Sequence, residues 1–170
     1  AEFSGTRELP AMDQDAWMFI VKDDGRYSLR KSPVMPAESN LLRHRTAFDL
    51  TRGERVPFTD HASYSGVMAP SYRERYQVAS LQKERLISEY AYMIPGTEIS
   101  SYEFSDLTDL EQDVNLSVKA ETSFDQIVRK DGEGWLVRPG VTESTMVRDM
   151  SPWATRRLPL SLYSPMTFEP

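Results

Sequence analysis

At 170 residues, with 39% hydrophobic and 11% aromatic side chains against 27% charged ones, the chain can bury one core of its own and is not disordered in composition. A net charge of −6 and a pI near 5.0 give no basic excess, which argues against a nucleic-acid backbone or an anionic membrane as the main partner. Cysteine is absent, so thiol nucleophiles, disulfides and cysteine-containing zinc sites are excluded together.

The opening Ala1-Glu2-Phe3 reads as a cloning scar, and residues 1–10 are expected to be a flexible leader to a single β-rich domain over 11–170. No run of about 18 apolar residues and no signal-peptide pattern occurs, so the chain is expected neither to span a membrane nor to carry its own export signal; the scar-like opening without an initiating Met makes it read as an excised piece of a longer protein. From Trp17 to Arg30, two β-rich runs flank Asp24-Gly25, a dipeptide that turns tightly, and predict a hairpin. Pro33 and Pro36 mark the following connection, because proline donates no ladder hydrogen bond. Leu42, His44, Thr46, Phe48 and Leu50 then alternate with polar or small residues, the period of a half-buried strand. Val56, Phe58 and Tyr64, set among Gly53, Pro57 and Gly66, predict a turn and a shorter strand.

One amphipathic helix is predicted over about 71–94, opened by a capping box at Ser71 and Glu74 and stopped by Pro95-Gly96. Tyr72, Tyr76, Ala79, Leu86, Tyr90 and Ile94 share one face of it. Strand periodicity returns at Ile99, Tyr102 and Phe104 and is strict through Val114, Leu116, Val118 and Ala120. Asp131-Gly132 and Gly134 turn into Trp135-Leu136-Val137, and Leu158, Leu160 and Leu162 alternate near the end. The fold class is therefore mainly β, α+β: an antiparallel, sandwich-like sheet of six to nine strands packed with that one helix.

Few residues suggest chemistry. His44 and His61 lack a third ligand at zinc spacing, and His44 lies on the apolar side of its strand. Asp60 and His61 are neighbours on a strand, so they point to opposite faces and make a poor base and orienter. The acidic stretch from Asp106 to Asp113 offers calcium-type oxygens but lacks the glycine and spacing of an EF-hand, which favours a wet loop docked through Leu107 and Leu110. Tyr72, Tyr76, Tyr90 and Tyr92 are either core or the lining of a carbohydrate or peptide groove, with core favoured by their helical spacing. Arg73, Arg75 and Arg85 are read as a solvated helix face. No nucleophile elbow or phosphate loop occurs, so no catalytic residue, cofactor or metal ligand is assigned.

The order of several segments resembles a family. They are Ser32–Asn40 (SPVMPAESN), Ala47–Gly53 (AFDLTRG), Tyr72–Tyr76 (YRERY), Pro95–Ile99 (PGTEI), Tyr102–Val114 (YEFSDLTDLEQDV) and Arg156–Leu160 (RRLPL). Together they resemble the C-terminal β module of bacterial proteins that join an N-terminal β domain to a transglutaminase-like core. The resemblance implies a part of such a protein that lies after its Cys-His-Asp core, in an exported, periplasmic or envelope-associated setting. It implies a non-catalytic accessory role beside that core. The alternative kept is a stand-alone module that recognises a protein or envelope glycan through a sheet face or edge, and an enzyme with a serine or carboxylate site stands behind both.

Overall fold

The computed structural model describes residues 2–6, 8–138 and 167–169, the last three by backbone pairing alone. It is mainly β, with antiparallel sheets and a few helices. Strands β1 (Trp17–Val21) and β2 (Tyr27–Lys31) form the predicted hairpin. Its turn closes through the Lys22 carbonyl, which accepts from the Gly25 amide, and Gly25 adopts a φ of 77° that only glycine takes without strain. Strands β3 (Leu41–Phe48) and β4 (Arg55–Tyr64) follow, then helices α1 (Ala69–Tyr76) and α2 (Ala79–Met93). Next come β5 (Glu98–Phe104), β6 (Val114–Ser123), the single turn α3 (Phe124–Ile127) and the hairpin of β7 (Val128–Asp131) with β8 (Gly134–Val137). Strand β9 (Thr167–Glu169) is the last. The alternation expected at Leu158, Leu160 and Leu162 lies outside the described residues, as does the segment Arg156–Leu160.

The main sheet has the order β5-β6-β4-β3-β9, antiparallel except for β9, which runs parallel to β3. Strict alternation along β4 and β6 places Val56, Phe58, Ala62, Tyr64, Val114, Leu116, Val118 and Ala120 on one face, all buried. Helices α1 and α2 cover that face with Tyr76, Leu86 and Tyr90, joined by Ile94 just past the end of α2. Each fully buried Leu, Ile or Val contributes roughly 1.5–3 kcal/mol relative to exposure.

The helix predicted over 71–94 is two helices. The chain leaves helical geometry at Val78, whose φ and ψ are −87° and 99°, and Gln82 donates its side-chain amide to the orphaned Tyr76 carbonyl at 2.7 Å. The break lets Tyr72 and Tyr76 on one axis, and Leu86 and Tyr90 on another, all meet the curved sheet. The Ser71–Glu74 capping box does not form. Pro70, which needs no amide partner in a first turn, lets α1 start at Ala69, and the Ser71 hydroxyl donates to the Met68 carbonyl.

Arg73 corrects a second expectation, because it is buried at 1% exposure and not solvated. Its guanidinium donates to both Glu8 carboxylate oxygens at 3.0 and 2.7 Å and to the carbonyls of Phe3, Leu110 and Gln112 at 2.9, 3.2 and 2.6 Å. Beside it, Thr6 donates from its amide and hydroxyl to Glu111, and Gly5 lies so near the Leu110 carbonyl that a Cβ would stand 2.1 Å from the oxygen. The stretch that composition marks as a leader thus closes against the 105–113 loop. Arg73→Met leaves the buried Glu8 carboxylate uncompensated and should cost about 3–5 kcal/mol in urea unfolding. A loss below about 1 kcal/mol would show that this ion pair does not hold the segment.

Candidate functional site

The polar centre of the molecule is built on β3, β4 and α2. Thr46 is the cross-strand partner of Asp60, and His44 that of Ala62, so His44, Thr46 and Asp60 share the helix-facing side of the sheet. Asp60 is fully buried. Its carboxylate accepts from the Thr46 hydroxyl at 2.8 Å and the Tyr90 hydroxyl at 2.5 Å, and His44 Nδ1 stands 3.4 Å from Oδ2 without a well-aligned hydrogen bond. On its other side, His44 Nε2 meets the Tyr64 hydroxyl at 3.3 Å. Burial would lift the Asp60 carboxyl, yet the imidazole of His44 and the hydroxyls of Tyr90 and Thr46 outweigh it and hold the group below its ordinary 3.8.

From this centre an aromatic column crosses the sheet under α1. The Tyr64 and Tyr72 rings stack at 3.5 Å between centroids, Tyr72 and Tyr76 follow at 6.1 Å, and Tyr76 meets Phe104 at 4.8 Å. The Tyr76 hydroxyl donates to Glu89, which also pairs with Arg75 at 3.3 Å. Burial raises all four phenols: Tyr72 is pushed up to about 12, and Tyr64, Tyr76 and Tyr90 are raised well above the ordinary range, Tyr90 also under the charge of Asp60.

The imidazole–carboxylate pair is the most chemical arrangement in the core, but a substrate has no access to it, since His44 is 8% exposed and Asp60 not at all. The pair holds β3, β4 and α2 together. His61 points the other way and is exposed, as alternation requires of a neighbour of Asp60. Sequence reading missed the His44–Asp60 contact because it weighed Asp60 only against its sequence neighbour. The available signal was that Asp60 falls on the apolar parity of β4, just as His44 and Thr46 do on β3.

Tyr72, Tyr76 and Tyr90 belong to the core, and Tyr92 is exposed. In the acidic loop, Asp106 accepts from the amide and hydroxyl of Thr108, Asp109 from the Glu111 amide and the Gln112 side chain, and Glu111 from Thr6. Its Leu110 and Gln112 carbonyls turn to the Arg73 guanidinium. Among the described residues, no group of three His, Asp or Glu side chains is placed to hold a metal ion, and no helix is long and apolar enough to cross a membrane.

Two surfaces stand out. On the β1–β2 hairpin, Trp17, Phe19 and Val21 lie opposite Lys31, Leu29 and Tyr27, so one face is almost wholly apolar. All of it is exposed, Phe19 at 64% and Tyr27 at 72%, with their rings stacked at 5.2 Å. Neither strand pairs with the main sheet; the hairpin is anchored at its base, where the Ser32 amide donates to the Ala16 carbonyl and the Met35 amide to Gln14. The second surface is the face of the main sheet that no described element covers, and it is polar.

The raised phenols and the lowered carboxyl fix the pH response. A raised phenol contributes stability that is complete below its unfolded value near 10 and is lost as pH climbs towards the folded value, about 12 for Tyr72. A lowered carboxyl contributes stability that is complete above 3.8 and is lost as pH falls through its lower folded value. In a spectrophotometric titration, the buried tyrosines should therefore ionise together with alkaline unfolding, and Tyr72→Phe should flatten the alkaline fall in stability. Asp60→Asn should flatten the acid one. Smooth ionisation of all eight tyrosines before unfolding would contradict the packed column.

Scans against protein-family models, curated proteins and solved structures each gave no match to this chain.

Proposed function

We propose that this chain is a non-catalytic accessory domain that seats a neighbouring domain of its parent protein on the β1–β2 hairpin. The observation that carries the reading is the hairpin's apolar face. A two-stranded hairpin is marginal by itself in water, and three or more strands or a packing surface are normally needed to stabilise one. Here Trp17, Phe19, Val21, Tyr27 and Leu29 all remain in solvent, and the pairing strands have no third neighbour among the described residues. A contiguous aromatic and aliphatic patch of this kind marks an association surface.

The resemblance supplies the neighbour: a transglutaminase-like core, in a periplasmic or envelope setting. Chemistry in such a protein belongs to the cysteine of the core, and this chain has none. An anionic membrane is a poorer occupant, because a body of net charge −6 is repelled from it.

Light scattering of the chain mixed with that core should give a complex of summed mass. Trp17→Ser with Phe19→Ser should weaken it at least about tenfold. Because both side chains are exposed, urea stability should change by less than about 0.5 kcal/mol. Absence of a complex at high concentration, or a complex indifferent to the double substitution, would overturn the proposal.

A further inference from the structure

The main sheet carries its helices on one face, and no described element covers the other. One transverse row of that uncovered face runs from Arg45 on β3 through His61 on β4 and Ser117 on β6 to Glu103 on β5, each the cross-strand neighbour of the next. The adjoining row contributes Ser63 and Asn115, which face each other. Short side chains at the middle and long ones at the margins leave a trough of about 850 Å³ lined by these residues.

Its charge is polarised. Arg45 and Glu103 are exposed, and neither has an ionic partner among the described residues. They stand three strand spacings apart, about 14 Å. An unpaired cation and an unpaired anion at opposite ends of a hydroxyl- and amide-lined trough are complementary to a ligand that carries the reverse charges at that separation. A free peptide does so, with a carboxylate at one end, an ammonium at the other and amide groups between. Extended chain advances at most about 3.3–3.6 Å per residue, so about four residues fill the span. Alternation turns Phe58, Tyr64 and Tyr102 to the helix side; among the described residues the rings that border the trough are His61 and Phe104, and Phe104 packs against Tyr76.

We propose that this trough binds a short peptide by its two free termini, the carboxylate on Arg45 and His61 and the ammonium on Glu103, with Ser63, Ser117 and Asn115 bonding its amides. The peptide crosses the strands. This proposal is independent of the hairpin reading, since it uses a different surface.

Tetra-alanine titrated into the isotope-labelled chain should produce saturable amide shifts at Ser63, Asn115 and Ser117. Acetylating its amine or amidating its carboxylate should each weaken binding about tenfold or more, the scale of one charge-assisted contact. Arg45→Ala should abolish the effect of amidation and keep that of acetylation, and Glu103→Ala should do the reverse. Both side chains are exposed, so both variants should fold. No saturable shift at millimolar peptide, or affinity blind to both caps, would overturn the proposal. So would a trough that answers only to a neutral oligosaccharide.

Discussion

A carboxylate cut off from water must find its balance within hydrogen-bond reach, and Asp60 imposes that condition on the middle of the fold. Its partners come from three elements: Thr46 and His44 from β3, and Tyr90 from α2, with Tyr64 of β4 backing His44. The requirement sets register. A slip of β3 by one residue would turn His44 and Thr46 outward and leave the charge unmet. It also sets the rotation of α2, because only one face of that helix brings a hydroxyl to Asp60. Purely apolar packing of Leu86 and Ile94 would tolerate several rotations; the hydrogen bond selects one.

Arg73 repeats the logic at the other end of the sheet. A buried guanidinium needs acceptors in several directions, and it draws them from Glu8 and Phe3 at one side and from the Leu110 and Gln112 carbonyls at the other. Helix α1 is thereby fastened to two segments with little regular structure of their own. With charge balance and apolar burial both met on the helix side, the other sheet face and the β1–β2 hairpin carry no share of the core formed by the described residues.

Much of this architecture was legible in the sequence, and the exceptions have particular causes. Alternation along β3 and β6 is strict, since each strand buries one face, and the hairpin announces itself through Asp24-Gly25. In β5 the apolar positions Ile99 and Tyr102 are three apart, which no regular strand permits; a register shift between Ile99 and Ser101 restores both to one face. The helix break was hidden because Gln77-Val78 contains neither glycine nor proline, and the Gln82 bond that stabilises it depends on the folded turn. Arg73 was misread because arginines on a helix are usually solvated, and its acceptors are backbone carbonyls that no composition reveals. The uncovered trough escaped notice for a similar reason: Arg45, His61, Ser117 and Glu103 become a row only once three strand registers are known.

The irregularity in β5 bears on how the molecule meets other chains. A strand at the margin of a sheet is a template for further strands, and a straight, fully extended β5 would invite stacking of copies edge to edge. The extra residue at Ser100 bends this margin and interrupts its row of amides, while Glu103 adds an exposed charge to it. Lateral growth through β5 is thus discouraged by geometry and by charge together. The β1–β2 hairpin has no such guard: its pairing is regular along all five rungs, from Trp17 with Lys31 to Val21 with Tyr27. Geometry and charge therefore guard the β5 margin against fibre-like pairing, while among the described residues nothing comparable interrupts the edges of the hairpin.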